Sequence, residues 1–331
     1  MTRTPGRRTV GEEADVEWSH FGLERQPFRP AVDAGSYFPA ATHEAALATV
    51  ISAFVRRESV VLLDGPSGVG KSLVTRKWLE HLLPDVPRVV WPSAQAQHPA
   101  ELLQAVLFDL GQPYRGYSEQ ELRLSATGLL LDLATGSGYP TVLVLDEAQH
   151  LSQPAFEELR LLGNLETRRG AAVFTLLVAQ PTLRDALRRP AYELFAQRLG
   201  ASATLQPLSV EESAAYLRHH IRAAGGDPDE VLDDQAVELI ARVAGGVPRI
   251  LNRVAALSLE LTAGVGADFV DVEAVLEALD RLGIDAPEAN EPVESDEPVV
   301  LPHPERGPVA ATGEAGARTG PKQKTTRKRS A

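Results

Sequence analysis

"SVVLLDGPSGVGKS", residues 59–72, is the stretch from which the fold follows. Its first half, Val60 to Leu63, is a short apolar run closed by Asp64 and Gly65, the composition of a strand covered on both faces. Its second half, Gly65, Pro66, Ser67, Gly68, Val69, Gly70, Lys71 and Ser72, satisfies G-x-x-x-x-G-K-[ST] in full. Glycines let the backbone wrap close to phosphate oxygens, while successive N–H groups and the following helix N-terminus supply positive potential. Lys71 is expected to reach the β and γ phosphates of a nucleotide, and Ser72 to hold Mg²⁺. A chance match in a Gly-rich turn is the plain alternative; a strand before the loop and a helix after it argue against that.

The alternation of strand and helix continues through residue 207. Helical patterning covers 42–57 and the stretch from Lys71 to before Pro84; a strand follows at "RVVWPS", then helices near 98–110 and 118–135. The strand "TVLVL", a helix opened by Ser152 and Pro154, and the strand "AAVFTLLVA" come next. This order predicts an α/β core over 17–207, a P-loop NTPase with a parallel sheet flanked by helices. After Pro207 the pattern is helical only. "SVEESAAYLRHHI" opens with Ser209 and Glu212 at capping-box spacing, and helices are expected at 233–243, 247–263 and 271–282, together a small all-helical lid domain over 208–283.

The two ends differ from this middle. Residues 1–16 and 284–331 are expected to be disordered, because segments so polar bury too little apolar surface to offset chain entropy. The C-terminal tail is acidic and then basic, with seven acids in 285–305 and six Lys/Arg without an acid in 318–331. The basic end is read either as a solvated terminus or as a contact for nucleic acid, anionic lipid or an acidic partner.

Composition narrows the class. The chain has 331 residues, a net charge of -12 and no cysteine. Such acidity argues against a surface that is wholly a nucleic-acid footprint, and the lack of cysteine excludes disulfides, thiolate metal sites and thiol nucleophiles. The eight histidines show no ligand spacing. Arg3, Arg7 and Arg8 precede no apolar segment, and no run approaches the roughly 18 residues of a membrane span, so a soluble cytoplasmic protein without a membrane span is expected.

"TVLVLDEAQHL", residues 141–151, carries the second chemical signal. Asp146 and Glu147 end an apolar strand that is expected to lie next to the phosphate loop. There Asp146 would bind Mg²⁺ through water and Glu147 would orient and deprotonate the attacking water, whereas two solvated acids are the plain alternative. Three further positions are candidates. Gln180, after "FTLLVA", would stand at the same sheet edge and contact the γ phosphate or the water, or be a loop amide. Arg198 ends a helix before the next strand and is either a finger offered to a neighbouring subunit or a surface ion pair. Arg249, after Gly-Gly-Val-Pro, could reach back to the nucleotide or lie on a helix surface. Trp78 and Trp91 are read as packing residues, His219 and His220 as solvated, and His150 as a loop residue without a partner.

These residues resemble the AAA+ ATPases of the ExeA type, associated with general secretion, and their relatives among transposition helper ATPases. The resemblance covers roughly 18–282 and rests on "HFGLERQPF", "YFPAATHEAAL", "GPSGVGKS", "LVLDEAQHLSQPAFEELRLLGNLET", "AQPTLRDALRRP", "AQRL" and "GGVPRILNRV". It implies that Lys71 and Ser72 belong to Walker A and Asp146 and Glu147 to Walker B. By the same similarity Gln180 is sensor 1, Arg198 the trans-acting finger and Arg249 sensor 2, and "HFGLERQPF" helps close over the adenine. Relatives of the secretion type commonly continue into a membrane span and a cell-wall-binding region, whereas this chain continues into its polar tail. His150 stands where the family often has asparagine.

Together these readings predict an ATP-binding and ATP-hydrolysing AAA+ module, using Mg²⁺, that couples nucleotide state to homo-oligomer assembly or remodelling of a protein partner, in secretion or a DNA-linked process. The alternative is an ATP-loaded DNA-binding adaptor for a transposase or recombinase that hydrolyses only incidentally. A small-molecule kinase or GTPase fits less well: no N-K-x-D motif occurs, and a separate helical domain carrying Arg249 suits AAA+ better.

Overall fold

In the computed structural model, residues 18–29, 37–91 and 94–285 are described. The expectations for 1–16 and for the tail beyond 285 lie outside them. Five parallel strands, β1 (Val60–Asp64), β2 (Arg88–Trp91), β3 (Thr141–Leu145), β6 (Val173–Ala179) and β7 (Leu199–Thr204), form a sheet in the order β2-β3-β6-β1-β7. A two-stranded hairpin, β4 (Glu166–Thr167) and β5 (Gly170–Ala171), stands outside it. Every residue of β1, β3 and β6 is buried, as continuous apolar runs in central strands require, while edge strands β2 and β7 are partly exposed.

β3, which leads into Asp146 and Glu147, lies in the same sheet as β1. β3 does not lie next to β1; β6 is inserted between them. Leu62 and Leu145 both pair with Leu177, so Asp146 ends level with Leu63, and Gln180 stands one residue past the Asp64–Ala179 pair. Phosphate loop, acids and amide thus share the carboxyl edge of the sheet, where open α/β folds bind ligands.

Alternating side chains of the central strands feed two layers. Val61, Leu63, Phe174 and Leu176 pack under α1 (Ala41–Val55) and α2 (Lys71–Glu80), where the Phe174 ring lies 5.3 Å from Phe54 and 5.4 Å from Trp78. The opposite face is covered by α3 (Pro99–Asp109), α4 (Glu119–Ser137), α5 (Gln153–Leu162) and α6 (Pro181–Leu187). Ser152 caps α5 through the Ala155 N–H, and Ser118 with Glu121 forms a capping box on α4. A short helix α7 (Glu193–Ala196) leads into β7.

Among the described residues strands stop at Thr204, and five helices follow: α8 (Val210–Ala223), α9 (Pro228–Val231), α10 (Asp234–Val243), α11 (Pro248–Val265) and α12 (Val272–Leu282). The Ser209–Glu212 capping box opens α8 as the sequence predicts. At the α10–α11 turn Gly246 has φ 72°, and a Cβ there would meet the Leu208 carbonyl oxygen at 2.0 Å, so only glycine lets the chain pass. These helices enclose their own hydrophobic cluster, built on Leu217, Ile221, Ile240, Leu251 and Val254.

Residues 18–29, grouped by sequence with the α/β core, belong by packing to this helical cluster. Trp18, Phe21, Leu23 and Phe28 are buried in it. Arg25 Nε and Nη2 donate to the Ala223 carbonyl at 3.0 and 2.6 Å, at the end of α8 where a cation also meets the negative end of the helix dipole. The Glu24 N–H donates to the Ala224 carbonyl at 2.8 Å. Among the described residues no helix is long and apolar enough to cross a membrane.

Candidate functional site

The phosphate loop joins β1 to α2 and is pinned from three sides. His43 of α1, buried, donates from Nε2 to the Val69 carbonyl at 2.8 Å; burial pushes its pKa down. Gly68 has φ 85°, and a Cβ there would stand 3.0 Å from both Val247 and Arg249, so the loop and the start of α11 meet at backbone distance. Lys71 is buried, and its Nζ donates to the carbonyls of Gly65 and Pro66 at 2.9 and 2.8 Å. Burial lowers its pKa, opposed by the negative charges of Glu147 and Asp146.

The carboxyl ends of β3 and β6 face this loop. Ser72 Oγ donates to Asp146 Oδ2 at 2.8 Å, and the Glu147 N–H donates to Asp146 Oδ1 at 2.9 Å. A hydroxyl and a carboxylate oxygen held side by side are the hard donors Mg²⁺ takes, and their scarcity fits an ion that is otherwise held by phosphates and water. Among the described residues no cluster of three or more His, Cys, Asp or Glu could hold a metal by itself. The residues present therefore fit a nucleotide-borne Mg²⁺.

Glu147 has φ 56°, a left-handed conformation that non-glycine residues seldom adopt. Its Oε2 accepts from Gln149 Nε2 at 2.5 Å and lies 3.5 Å from Gln180 Nε2. Gln149 Oε1 in turn accepts the Gln180 backbone N–H at 3.1 Å. His150, expected to lack a partner, places Nε2 3.9 Å from Glu147 Oε2. At the root of the loop, buried Asp64 takes a bidentate pair from Arg184 of α6 at 2.6 and 3.0 Å and a hydrogen bond from Thr204 Oγ1 at 2.6 Å. A buried carboxylate needs such partners, and this pair ties β1, β7 and α6 together beneath the loop.

From the helical side, the Arg249 N–H donates to the Gly68 carbonyl at 3.3 Å and its Nη1 to Ser67 Oγ at 3.3 Å. Arg249 thus meets the phosphate loop. A cavity of about 670 Å³ opens from this contact, lined at one end by Lys71, Ser72, Glu147 and Arg249 and at the other by Phe28, Tyr216 and His220. The Arg25 to Arg29 segment forms part of its wall.

His220 corrects its expectation of solvation. It is 7% exposed, with Nδ1 3.2 Å from the Pro27 carbonyl and its ring 4.2 Å from that of Tyr216. Because that carbonyl only accepts, Nδ1 carries the proton; burial and the neighbouring His219 push the pKa down to about 4. His219 is partly buried against Phe38, its pKa lowered by burial and by Arg222. Trp78 is fully buried and Trp91 packs partly buried, as expected of packing residues.

Arg198 is not part of this constellation. It is exposed, and the Val60–Leu199 pairing puts it at the amino edge of the sheet, the opposite end of β1 from Asp64. Level with Ser59, its backbone lies five strand steps, roughly 16 Å, from Asp64 and the start of this chain's own phosphate loop.

Residues 55–187 match the family model described as AAA domain. This stretch, from the end of α1 through α6, is thus similar to an AAA domain. Its sequence is 32% identical over 236 residues to General secretion pathway protein A of Aeromonas hydrophila, covering 71% of this chain and 42% of that protein, so the chain spans less than half of that relative. The ORC2 protein of Aeropyrum pernix, solved with ADPNP and ADP, aligns over 78% of this chain and 71% of its own with a TM-score of 0.60 at 18% identity. The Thermotoga maritima RuvB Holliday junction branch migration motor aligns over 79% of this chain and 75% of its own, TM-score 0.53, at 22% identity. At such identities these two structures speak for the fold alone. The parallel sheet and following helices around this stretch agree with that likeness.

Proposed function

We propose that this chain binds ATP with Mg²⁺ in the cavity between sheet and helices and hydrolyses the β-γ phosphoanhydride. The observation that supports it most is the joint placement of Lys71, Ser72, Glu147 and Arg249 at one end of a single cavity, with Ser72 bonded to Asp146. In this reading the loop from Gly65 to Ser72 cradles the phosphates, Ser72 and Asp146 hold the metal, and Lys71 and Arg249 neutralise phosphate charge. Glu147 takes the proton of the attacking water, and Gln180 contacts that water or the γ phosphate. The adenine sits in the part of the cavity lined by Phe28 and Tyr216. Residues 208–283 act as a lid that carries residues 18–29 with it.

Arg198 points to assembly. Too far from its own loop, it would stabilise phosphoryl charge on a neighbouring copy, so the working form is a nucleotide-dependent homo-oligomer. By likeness to the secretion relative, a protein partner in a secretion process is one downstream target; the six Lys/Arg without an acid in residues 318–331 make DNA another.

Glu147→Gln is the test. Binding of a fluorescent ATP analogue is expected to persist while turnover falls by about 100-fold or more. Unchanged turnover would remove Glu147 from the base role, and loss of binding in the wild type would remove the ATPase reading. The same assay with double-stranded DNA at two salt concentrations separates the targets, because a phosphate-backbone contact weakens as salt rises.

A further inference from the structure

Gln149 bridges the residue read as base and the strand inserted beside it. One face of its amide donates to the Glu147 carboxylate at 2.5 Å, and the other accepts the Gln180 backbone N–H at 3.1 Å. We propose that Gln149 is a positioning residue for the Glu147 carboxylate, fixing the direction from which it meets the water. The inference rests on the reading of Glu147 as the base.

The local geometry explains why such a residue is needed. Glu147 departs from strand geometry at φ 56°, and its side chain is 40% exposed, so neither backbone nor packing fixes the carboxylate. The backbone turn is held by the Glu147 N–H to Asp146 Oδ1, which orients the main chain and leaves the side chain free to rotate. Of the donors near Oε2, Gln180 Nε2 at 3.5 Å and His150 Nε2 at 3.9 Å lie at or beyond hydrogen-bonding range, which leaves Gln149 as the short contact among the described residues.

An amide is the side chain this task calls for. It donates to a carboxylate without a formal charge that would quench its basicity, and it accepts a backbone N–H at the same time. The backbone partner matters because Gln180 ends β6, which pairs with both β1 and β3. Gln149 therefore references the carboxylate to the strand beside the phosphate loop, where the reacting phosphate would sit. Misplacement of a reacting group by about 1 Å costs on the order of 100-fold in rate, which sets the scale of the effect.

The test uses the full chain with steady-state ATP hydrolysis and binding of a fluorescent ATP analogue. Gln149→Met keeps the side-chain length and removes both hydrogen bonds; kcat is expected to fall about 10-fold to 100-fold while KM and analogue affinity stay within about twofold. Gln149→Glu, which places a like charge against Glu147, is expected to fall at least as far. In a Glu147→Gln background, adding Gln149→Met is expected to leave the residual rate unchanged, because the residue acts through that carboxylate. Wild-type kcat in Gln149→Met beside an inactive Glu147→Gln would overturn the inference, as would a parallel loss of affinity or an equal further loss in the double variant. Wild-type turnover in Glu147→Gln is a separate failure: it removes the base reading and this inference with it.

Discussion

The two ends of the cavity are built by different physics. The phosphate end is made of backbone groups and charges at the edge of a sheet: Lys71 on two carbonyls, Ser72 on Asp146, Arg249 on the loop. The far end is made of packed rings: Phe28 sits inside a hydrophobic cluster that also holds Trp18, Leu217 and Leu251, and the His220 ring lies 5.8 Å from that of Phe28. A change at the first should alter affinity with little change in stability. At the second, stability should change first and affinity follow.

The sharpest way to break that contrast is Phe28→Ala. Phe28 is 2% exposed, and truncating a buried ring leaves a cavity that costs about 3–5 kcal/mol. Chemical denaturation monitored by tryptophan fluorescence should show the loss; a variant that weakens nucleotide binding at unchanged stability would place Phe28 with the phosphate end instead.

His220 should give the next largest effect, and one with a defined pH window. Its folded pKa near 4 lies below the ordinary 6.5, so the unfolded chain takes up the proton first as pH falls. Its contribution is present in full above about pH 6.5 and is lost between 6.5 and 4, on the order of 3 kcal/mol from the size of the shift. Denaturation midpoints at pH 7.5 and 4.5 should therefore converge in His220→Phe relative to the wild type. An equal pH slope in both proteins would assign the acid sensitivity elsewhere.

Lys71→Ala should give the smallest change in stability and a loss on the order of 100-fold in ATP turnover, about 2.7 kcal/mol. Its melting temperature should stay close to that of the wild type, since the buried ammonium already bears a desolvation cost. A large drop in melting temperature would mean that the loop is a folding element as much as a binding one.

The same contrast explains what could be read from sequence. Phosphate chemistry demands particular residue types in contiguous order, so Gly65 to Ser72 and the pair Asp146–Glu147 announce themselves, and Arg249 is flagged by its Gly-Gly-Val-Pro lead. β7 was less legible in extent because "LGASAT" is short and small-residued, and its pairing with β1 shifts register between Val60 and Val61. Strand order was hidden altogether, since no local pattern says that β6 separates β1 from β3. The Asp64–Arg184 pair joins residues 120 positions apart, and the His220–Pro27 contact joins residues 193 apart. Such partners are chosen by the fold. Gln149 stood in view within "DEAQHL", yet its role depends on a backbone N–H that sequence cannot place.

The attachment of residues 18–29 to the helices has a thermodynamic consequence. The cavity's two ends are rooted in separate hydrophobic clusters, so a molecule long enough to touch both would act as a tie between them. By mass action such a ligand stabilises whatever arrangement it spans, by about 2.7 kcal/mol at 100 times its Kd. Two clusters that loosen at different temperatures in the free chain would then melt as one, and removal of the terminal phosphate would loosen the tie from the sheet side alone.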